Sequence, residues 1–264
     1  AGEGAAMQRD YAYHSARHLS DLDDAGVIGT KAGERAVARL NPVRLKSGPT
    51  TVMFDPRVAG SMVGHLVGAI TGAAIARRTS FLLDALETEI FAPGITIIDD
   101  PHRIRGLRSK PFDGEGLPTS RRALIDKGVL TTWLLDSASA RQLGLAPTGH
   151  ASRGVGGPPG AGTTNLHMEA GTHTPAELMA DIVEGIYVTD LIGQGVNGLT
   201  GDYSRGASGF VIRNGVLAEP VAEVTIAGNL KDMFRHVTPA NDLAFRYGTN
   251  APTLRVEGMT LAGD

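Results

Sequence analysis

Cysteine is absent from all 264 residues. That excludes a disulfide framework and any metal site built on thiolates, and it agrees with a reducing, cytoplasmic compartment without requiring one. Dense runs of Lys and Arg with interleaved aromatics are missing too. The formal net charge is −3, from 25 basic and 28 acidic side chains, so no long-range attraction for a phosphate backbone exists and direct nucleic-acid binding is not expected. No uninterrupted apolar run reaches the ~18 residues of a membrane span, because Arg77 and Arg78 close the most apolar segment. The opening "AGEGAAMQRD" lacks the basic stretch and apolar core of a signal peptide. A membrane partner is therefore not expected either.

What the chain has is glycine, 35 residues of it, with 42% hydrophobic residues and few aromatics. Such a balance points to tight turns between short strands, and the length suffices for a sizeable core in one large domain or two. "TKAGERAVARLNP" (30–42) predicts a short helix with Ala36, Val37 and Leu40 inward and Pro42 just past its end. "TTVMF" (50–54) predicts a strand between Gly48-Pro49 and Asp55-Pro56. In "RVAGSMVGHLVGAITGAAIARR" (57–78) a helix is expected from about Val58 to Ile75. Gly60, Gly64, Gly68 and Gly72 recur there every fourth residue, a stripe suited to close packing against another backbone. In a membrane such spacing would be a dimer motif, but this segment is too short and too polar at its flanks.

From residue 95 onward strand signals dominate. "ITIID" is a strand, "RALIDKGVLTTWLL" a hairpin turning at Asp126-Lys127-Gly128, and "FVIRNGVLAEP" a hairpin turning at Asn214-Gly215. Two helices are interposed. Thr174-Pro175-Ala176-Glu177 is a capping box with proline at the first helical position, and Gly185 lies beyond that helix. "NLKDMFRHV" (229–237) is amphipathic, with Leu230, Met233, Phe234 and Val237 inward. "GVGGPPGAGTTN" (154–165) is a loop. The fold class is α+β: antiparallel or mixed sheets with hairpins and a few short helices.

Most motifs that could carry chemistry are incomplete. His14 and His18 have helical i,i+4 spacing but no glutamate beside the first histidine and no visible third ligand; two solvated histidines explain them. "GQGVNG" (193–198) spells G-x-G-x-x-G after a strand, but "LTGDYSRGASG" follows it, where a dinucleotide site needs a helix. Asp113 and Glu115 in "DGEG" read as a turn, and Asp99, Asp100 and His102 as a charged strand end. Ser204 and Ser208 sit among glycines with no nucleophile elbow and no visible base.

Five blocks, however, carry a specific likeness: "MVGHLVGAITGAAIARRTSFLLD", "KPFDGEGLPTSRR", "TTWLLDSASARQLGLAPTGHA", "GQGVNGLTGDYSRGASGF" and "AEVTIAGNLKDMF". In this order they resemble the TldD/PmbA family, once called modulators of DNA gyrase, and within it the PmbA (TldE) branch. The likeness runs from about residue 10 to the end. Residues 1–264 then correspond to the family's C-terminal domain, with its N-terminal region missing ahead of Ala1. The resemblance implies a two-subunit, zinc-dependent peptidase acting on unfolded peptides, whose TldD branch carries H-E-x-x-x-H and a later cysteine ligand.

Laid on this chain, that motif falls on "GSMVGH": Gly60 stands for the first histidine, Ser61 for the glutamate, and His65 keeps the last position. Zinc loses a ligand and the water loses its base. No catalytic residue is therefore assigned. No cofactor is expected on this chain, with zinc in a TldD-like catalytic partner, and the expected role is a non-catalytic subunit in a homo- or hetero-dimer that handles unfolded peptides. The glycine-rich Gly195, Asn197, Gly198, Gly201, Asp202, Tyr203, Ser204, Arg205 and Gly206 are expected to line an interface or peptide chamber, or else to form a cluster of structural turns. The alternatives are a homodimeric metallopeptidase in its own right and a regulator acting on DNA gyrase.

Overall fold

Capping residues and turn formers divide the chain, and the computed structural model, which describes residues 1–4 and 6–263, shows where. Helix α1 (Ala25–Ala38) begins at Asp24, whose carboxylate accepts the Val27 N–H. It starts earlier than expected and buries none of its side chains. Val37 is 59% exposed rather than inward, because α1 lies on the surface, held through Arg35 to the Tyr11 carbonyl and through the following Arg39 to Asp10. Strand β1 (Gly48–Phe54) ends at Asp55, which caps α2 (Pro56–Ala69) with Pro56 in its first turn.

The single helix expected from Val58 to Ile75 is two. Ile70 closes α2, and the Thr71 hydroxyl accepts the Ala74 N–H to start α3 (Gly72–Ala76). Between them, the Leu134 N–H donates to the Ile70 carbonyl and the Gly72 N–H donates to the Leu134 carbonyl. A tertiary strand-like contact has replaced one turn of helix.

Strand β2 (Ile97–Asp99) is followed by the hairpin of β3 (Arg122–Asp126) and β4 (Val129–Leu130). Its turn residues Lys127 and Gly128 have φ of 49° and 95°, as a type I′ turn requires. Next come α4 (Ser137–Leu143) and the two-residue strands β5 (Ala151–Ser152) and β6 (Gly160–Ala161), which are all the regular structure near the Gly/Pro loop. Strand β7 (Leu166–Met168) precedes α5 (Pro175–Met179), where the capping box forms as expected. Gly185 belongs to β8 (Glu184–Ile192). The longest hairpin joins β9 (Asp202–Arg213) to β10 (Val216–Asn229) through Asn214 and Gly215, both at positive φ. Helix α6 (Leu230–Arg235) buries Leu230, Met233 and Phe234, and Val237 is buried in β11 (Val237–Pro239). Strands β12 (Thr249–Asn250) and β13 (Leu254–Ala262) complete the chain.

One sheet has the order β1-β8-β9-β10-β13-β11, and β1 also pairs with β13, so five strands close into a ring with β11 attached. Only the β1–β8 pairing within it is parallel. A second sheet runs β12-β7-β2-β3-β4. Helix α2 lies between them, touching β1 and β8 on one side and β7 and β12 on the other. It buries Val58, Ala59, Met62, Val63, Leu66 and Ala69, each large side chain contributing about 1.5–3 kcal/mol. The fold is α+β with mixed sheets, and α2 is its central helix.

Candidate functional site

With one face of α2 in the core, its opposite face carries Gly60, Ser61, Gly64, His65 and Gly68. At ~100° per residue, His65 and Gly60 stand about 140° apart, at the two borders of this face. The four glycines do not form one packed stripe. A methyl group at Gly60 would lie 3.1 Å from the Thr249 carbonyl oxygen of β12, and one at Gly72 only 2.6 Å from Leu135 Cδ2. At Gly64 and Gly68 it would meet nothing within 4 Å. Close packing thus holds at the ends of the stripe, and its middle faces open space.

His65, half-buried, borders β9. Its ring meets that of Tyr203 edge-on, centroids 5.8 Å apart at 76°, and its Nε2 is buried without a hydrogen-bond partner. Burial, and then the Arg205 cation, hold its pKa below the usual imidazole value. Burial pushes the Tyr203 phenol up to about 12. Arg205 follows Tyr203 by two residues and so shares its face of the strand. Its Nη2 donates to the Leu191 carbonyl at 3.4 Å, while its Nε is buried and unpartnered. Among the described residues no carboxylate pairs with Arg205.

The glycine-rich segment divides at Gly201. Before it, the chain makes turns: Asn197 Oδ1 accepts the Leu199 and Thr200 N–H groups, the Gly198 carbonyl accepts the Phe81 N–H, and Gly201 has φ of 85°. A side chain at Gly195 would collide with the Ser204 carbonyl. Asp202 is exposed and bonds to Thr200 and Asn229. Past it, β9 brings Tyr203 and Arg205 toward α2, leaves Ser204 exposed, and pairs Gly206 with Ile192 and Thr225.

Ser61 spends its hydroxyl on the Val58 carbonyl of its own helix, at 2.6 Å. The donors around His65 do not fit a zinc ion: a glycine, a serine bound to its own backbone, an aromatic edge and a guanidinium. Among the described residues no group of three or more His, Asp or Glu side chains gathers as a metal site would.

Other candidates fall elsewhere. His14 lies outside any helix, accepting the Asp23 N–H at Nδ1, so no helix face unites it with His18. "GQGVNG" leads into β9 and not into a helix. Asp113 is a turn residue, accepting the Glu115 and Leu117 N–H groups and, from across the fold, that of Ala151. Asp99 is no charged strand end. It is 1% exposed, accepts the Thr164 N–H and hydroxyl, and lies 3.5 Å from His150 Nε2. Asp100 does cap the turn, accepting the His102 N–H. Sequence reasoning missed His150 because nothing local links it to Asp99. It also missed a cavity of about 530 Å³ at the start of α2, lined in part by Tyr13, Arg57 and Tyr247, which residues far apart in the chain assemble.

A family model described as the PmbA/TldA metallopeptidase C-terminal domain matches residues 47–263. The chain belongs to the PmbA/TldD family. It is 43% identical to the metalloprotease PmbA of Escherichia coli over 264 residues, which is all of this chain and 57% of that protein. It is 36% identical to the PmbA homolog of Haemophilus influenzae over 98% of this chain and 56% of that protein. The chain thus spans somewhat over half the length of these PmbA relatives. A solved structure from Bacteroides thetaiotaomicron, described as a modulator of DNA gyrase, superposes with a TM-score of 0.86 at 33% identity, covering 95% of this chain and 55% of the other. The TldE of Thermococcus kodakarensis shares the fold, with a TM-score of 0.83 at 24% identity over 94% of this chain and 57% of the other. Within the described residues no helix is long and apolar enough to cross a membrane.

Proposed function

We propose that this chain is the C-terminal domain of a non-catalytic subunit, which pairs with a zinc-bearing TldD-type relative in a cytoplasmic peptidase acting on unfolded peptides. The observation that carries the reading is the donor set on α2. The family position His65 is present, but Gly60 and Ser61 replace a ligand and a base, and Gly60 faces β12 instead of His65. Zinc chemistry would then belong to the partner, where the metal activates water. What this chain supplies is wall and floor: a glycine-surfaced face of α2 that an extended peptide backbone can approach. Backbone pairing at a strand edge would let such a chamber accept many sequences.

The metalloprotease names of the relatives also accommodate an active homodimer. Size-exclusion chromatography of the protein alone and mixed with its zinc-bearing relative separates the two. A stable hetero-oligomer supports the pairing, and a homodimer that ignores the relative refutes it.

A further inference from the structure

Helix α1 buries none of its side chains, yet it has an inner face, on which Ile28, Ala32, Arg35 and Ala36 are half-buried. What that face meets is in part space. The cavity of about 530 Å³ takes Ile28, Lys31 and Arg35 from α1, and Pro56 and Arg57 from the first turn of α2. Another part of its lining is aromatic. Tyr11 stacks on Tyr13 with ring centroids 6.1 Å apart, and Tyr13 tilts against Tyr247 at 5.5 Å. Tyr11 and Tyr13 are 48% and 52% exposed, so the rings are open to anything that enters from solvent. Neither His65 nor the open glycines of α2 line this cavity; it is separate from the site described above.

The charges in the lining are unequally spent. Its three carboxylates are all held by protein groups: Asp23 by Arg246, Asp55 by Arg57 Nε and the Tyr187 hydroxyl, and Asp242 by the N–H and hydroxyl of Thr253. Those pairs also occupy two of its four cations, Arg57 and Arg246. Lys31 and Arg35 are left. Among the described residues neither has a carboxylate at ion-pair distance: Arg35 Nη1 donates to the Tyr11 carbonyl at 3.0 Å, and Lys31 reaches Asp23 only as a longer-range charge. The phenols of Tyr13 and Tyr247 add two donors with no protein acceptor among the described residues. Burial and their neighbouring phenols hold both above the usual tyrosine pKa, which keeps their protons in place.

We propose that this cavity binds a small organic anion carrying a planar ring, with its carboxylate or phosphate on Lys31 and Arg35 and its ring against Tyr13. Residues four apart on a helix have Cβ atoms about 5–6 Å apart, so Lys31 and Arg35 can reach one anionic group together, and donors that carry charge make the stronger hydrogen bonds. A cationic ligand would meet these two unpaired cations, and carboxylates that are already taken. The exposed tyrosine faces suit an offset or edge-on ring, and the volume is that of a small-molecule site. The site is a property of this chain and does not depend on the subunit role proposed above.

Isothermal titration calorimetry of the full-length protein, with no partner present, tests this with four probes: 1-naphthoate, 1-naphthyl phosphate, the neutral 1-naphthalenemethanol and inorganic phosphate. At least one of the two ring anions should bind about tenfold or more tightly than the alcohol, the discrimination expected of charge-assisted hydrogen bonds. The same anion should also bind more tightly than inorganic phosphate, and the tighter of the two identifies the group as carboxylate or phosphate. Lys31→Gln should remove most of the advantage over the alcohol without changing the alcohol's own affinity, and Lys31→Arg should keep it. Tyr13→Leu should weaken all three ring-bearing probes. Equal binding of the alcohol and both anions, no binding of any probe, or an advantage undiminished in both Lys31→Gln and Arg35→Gln overturns the proposal. Inorganic phosphate binding as tightly as the ring anions overturns its choice of a ring. Lys31 is exposed on a surface helix, so its replacement leaves the fold intact, and the comparison of probes needs no variant at all.

Discussion

Replacing Gly64 with alanine should stabilise the protein, although two of the other three glycines in the stripe predict different outcomes. Glycine in a helix interior costs about 0.5–1 kcal/mol relative to alanine, and Gly64 sits mid-way along α2 with nothing within 4 Å of an added methyl. The gain should therefore appear almost in full, and Gly68→Ala, nearer the helix end, should give somewhat less. Unfolding entropy near 2.1 cal/mol/K per residue means 1 kcal/mol moves the midpoint of a chain this long by about 2 °C. Gly60→Ala meets the Thr249 carbonyl oxygen at 3.1 Å; a backbone neighbour yields little, so the helix gain is largely offset. Gly72→Ala drives a methyl to 2.6 Å from Leu135 Cδ2 and closer still to Ser139 Oγ. Overpacking of that kind costs about 1–3 kcal/mol. Urea and thermal unfolding of the four variants at one pH should rank Gly64 and Gly68 above the parent, Gly60 near it and Gly72 below. A loss of 1 kcal/mol or more in Gly64→Ala would mean that the α2 face is covered, and the open groove would be refuted.

Repairing the helix motif alone should fail: Gly60→His with Ser61→Glu should neither take up stoichiometric zinc nor hydrolyse peptides above background. The new imidazole would point about 140° away from His65 on an undistorted helix, and metal analysis with a quenched-peptide assay checks both. Stability should also fall in mild acid. Burial is the first cause lowering the pKa of both His65 and His167, so the folded chain keeps these rings neutral while the unfolded chain protonates near its ordinary value. Their contribution is full above about pH 6.5 and is lost as pH falls below it toward the folded values. Urea midpoints between pH 7.5 and 5 should show this slope, and His65→Gln should flatten it; an unchanged slope in that variant would show that His65 is not held neutral.

Features set by local chemistry were legible before the fold was known. Asn214-Gly215 and Lys127-Gly128 take positive φ as hairpin turns, the Thr174–Glu177 box caps its helix, and α6 buries the apolar side it displays. Features made by distant contacts were not. The break after Ile70 depends on Leu134, the ring closes only where β1 meets β13, and Asp99 is buried because Thr164 and His150 come to it. Helix α1 shows the reverse error: its periodicity suggested an inward face that the structure leaves in solvent. In the candidate site, His65 was singled out by the resemblance to a family motif. Arg205 stood within a loop-like run of glycines. That His65 meets β9 at Tyr203, two residues before Arg205, became evident only once the strand was placed beside α2.

The most direct test of the central claim is peptidase activity on an unfolded substrate, measured for the full-length protein, for its zinc-bearing TldD-type relative, and for the two mixed. Activity is expected in the mixture alone, abolished by a chelator and unaffected by His65→Ala in this chain. Chelator-sensitive activity from this protein by itself that disappears with His65→Ala would contradict it.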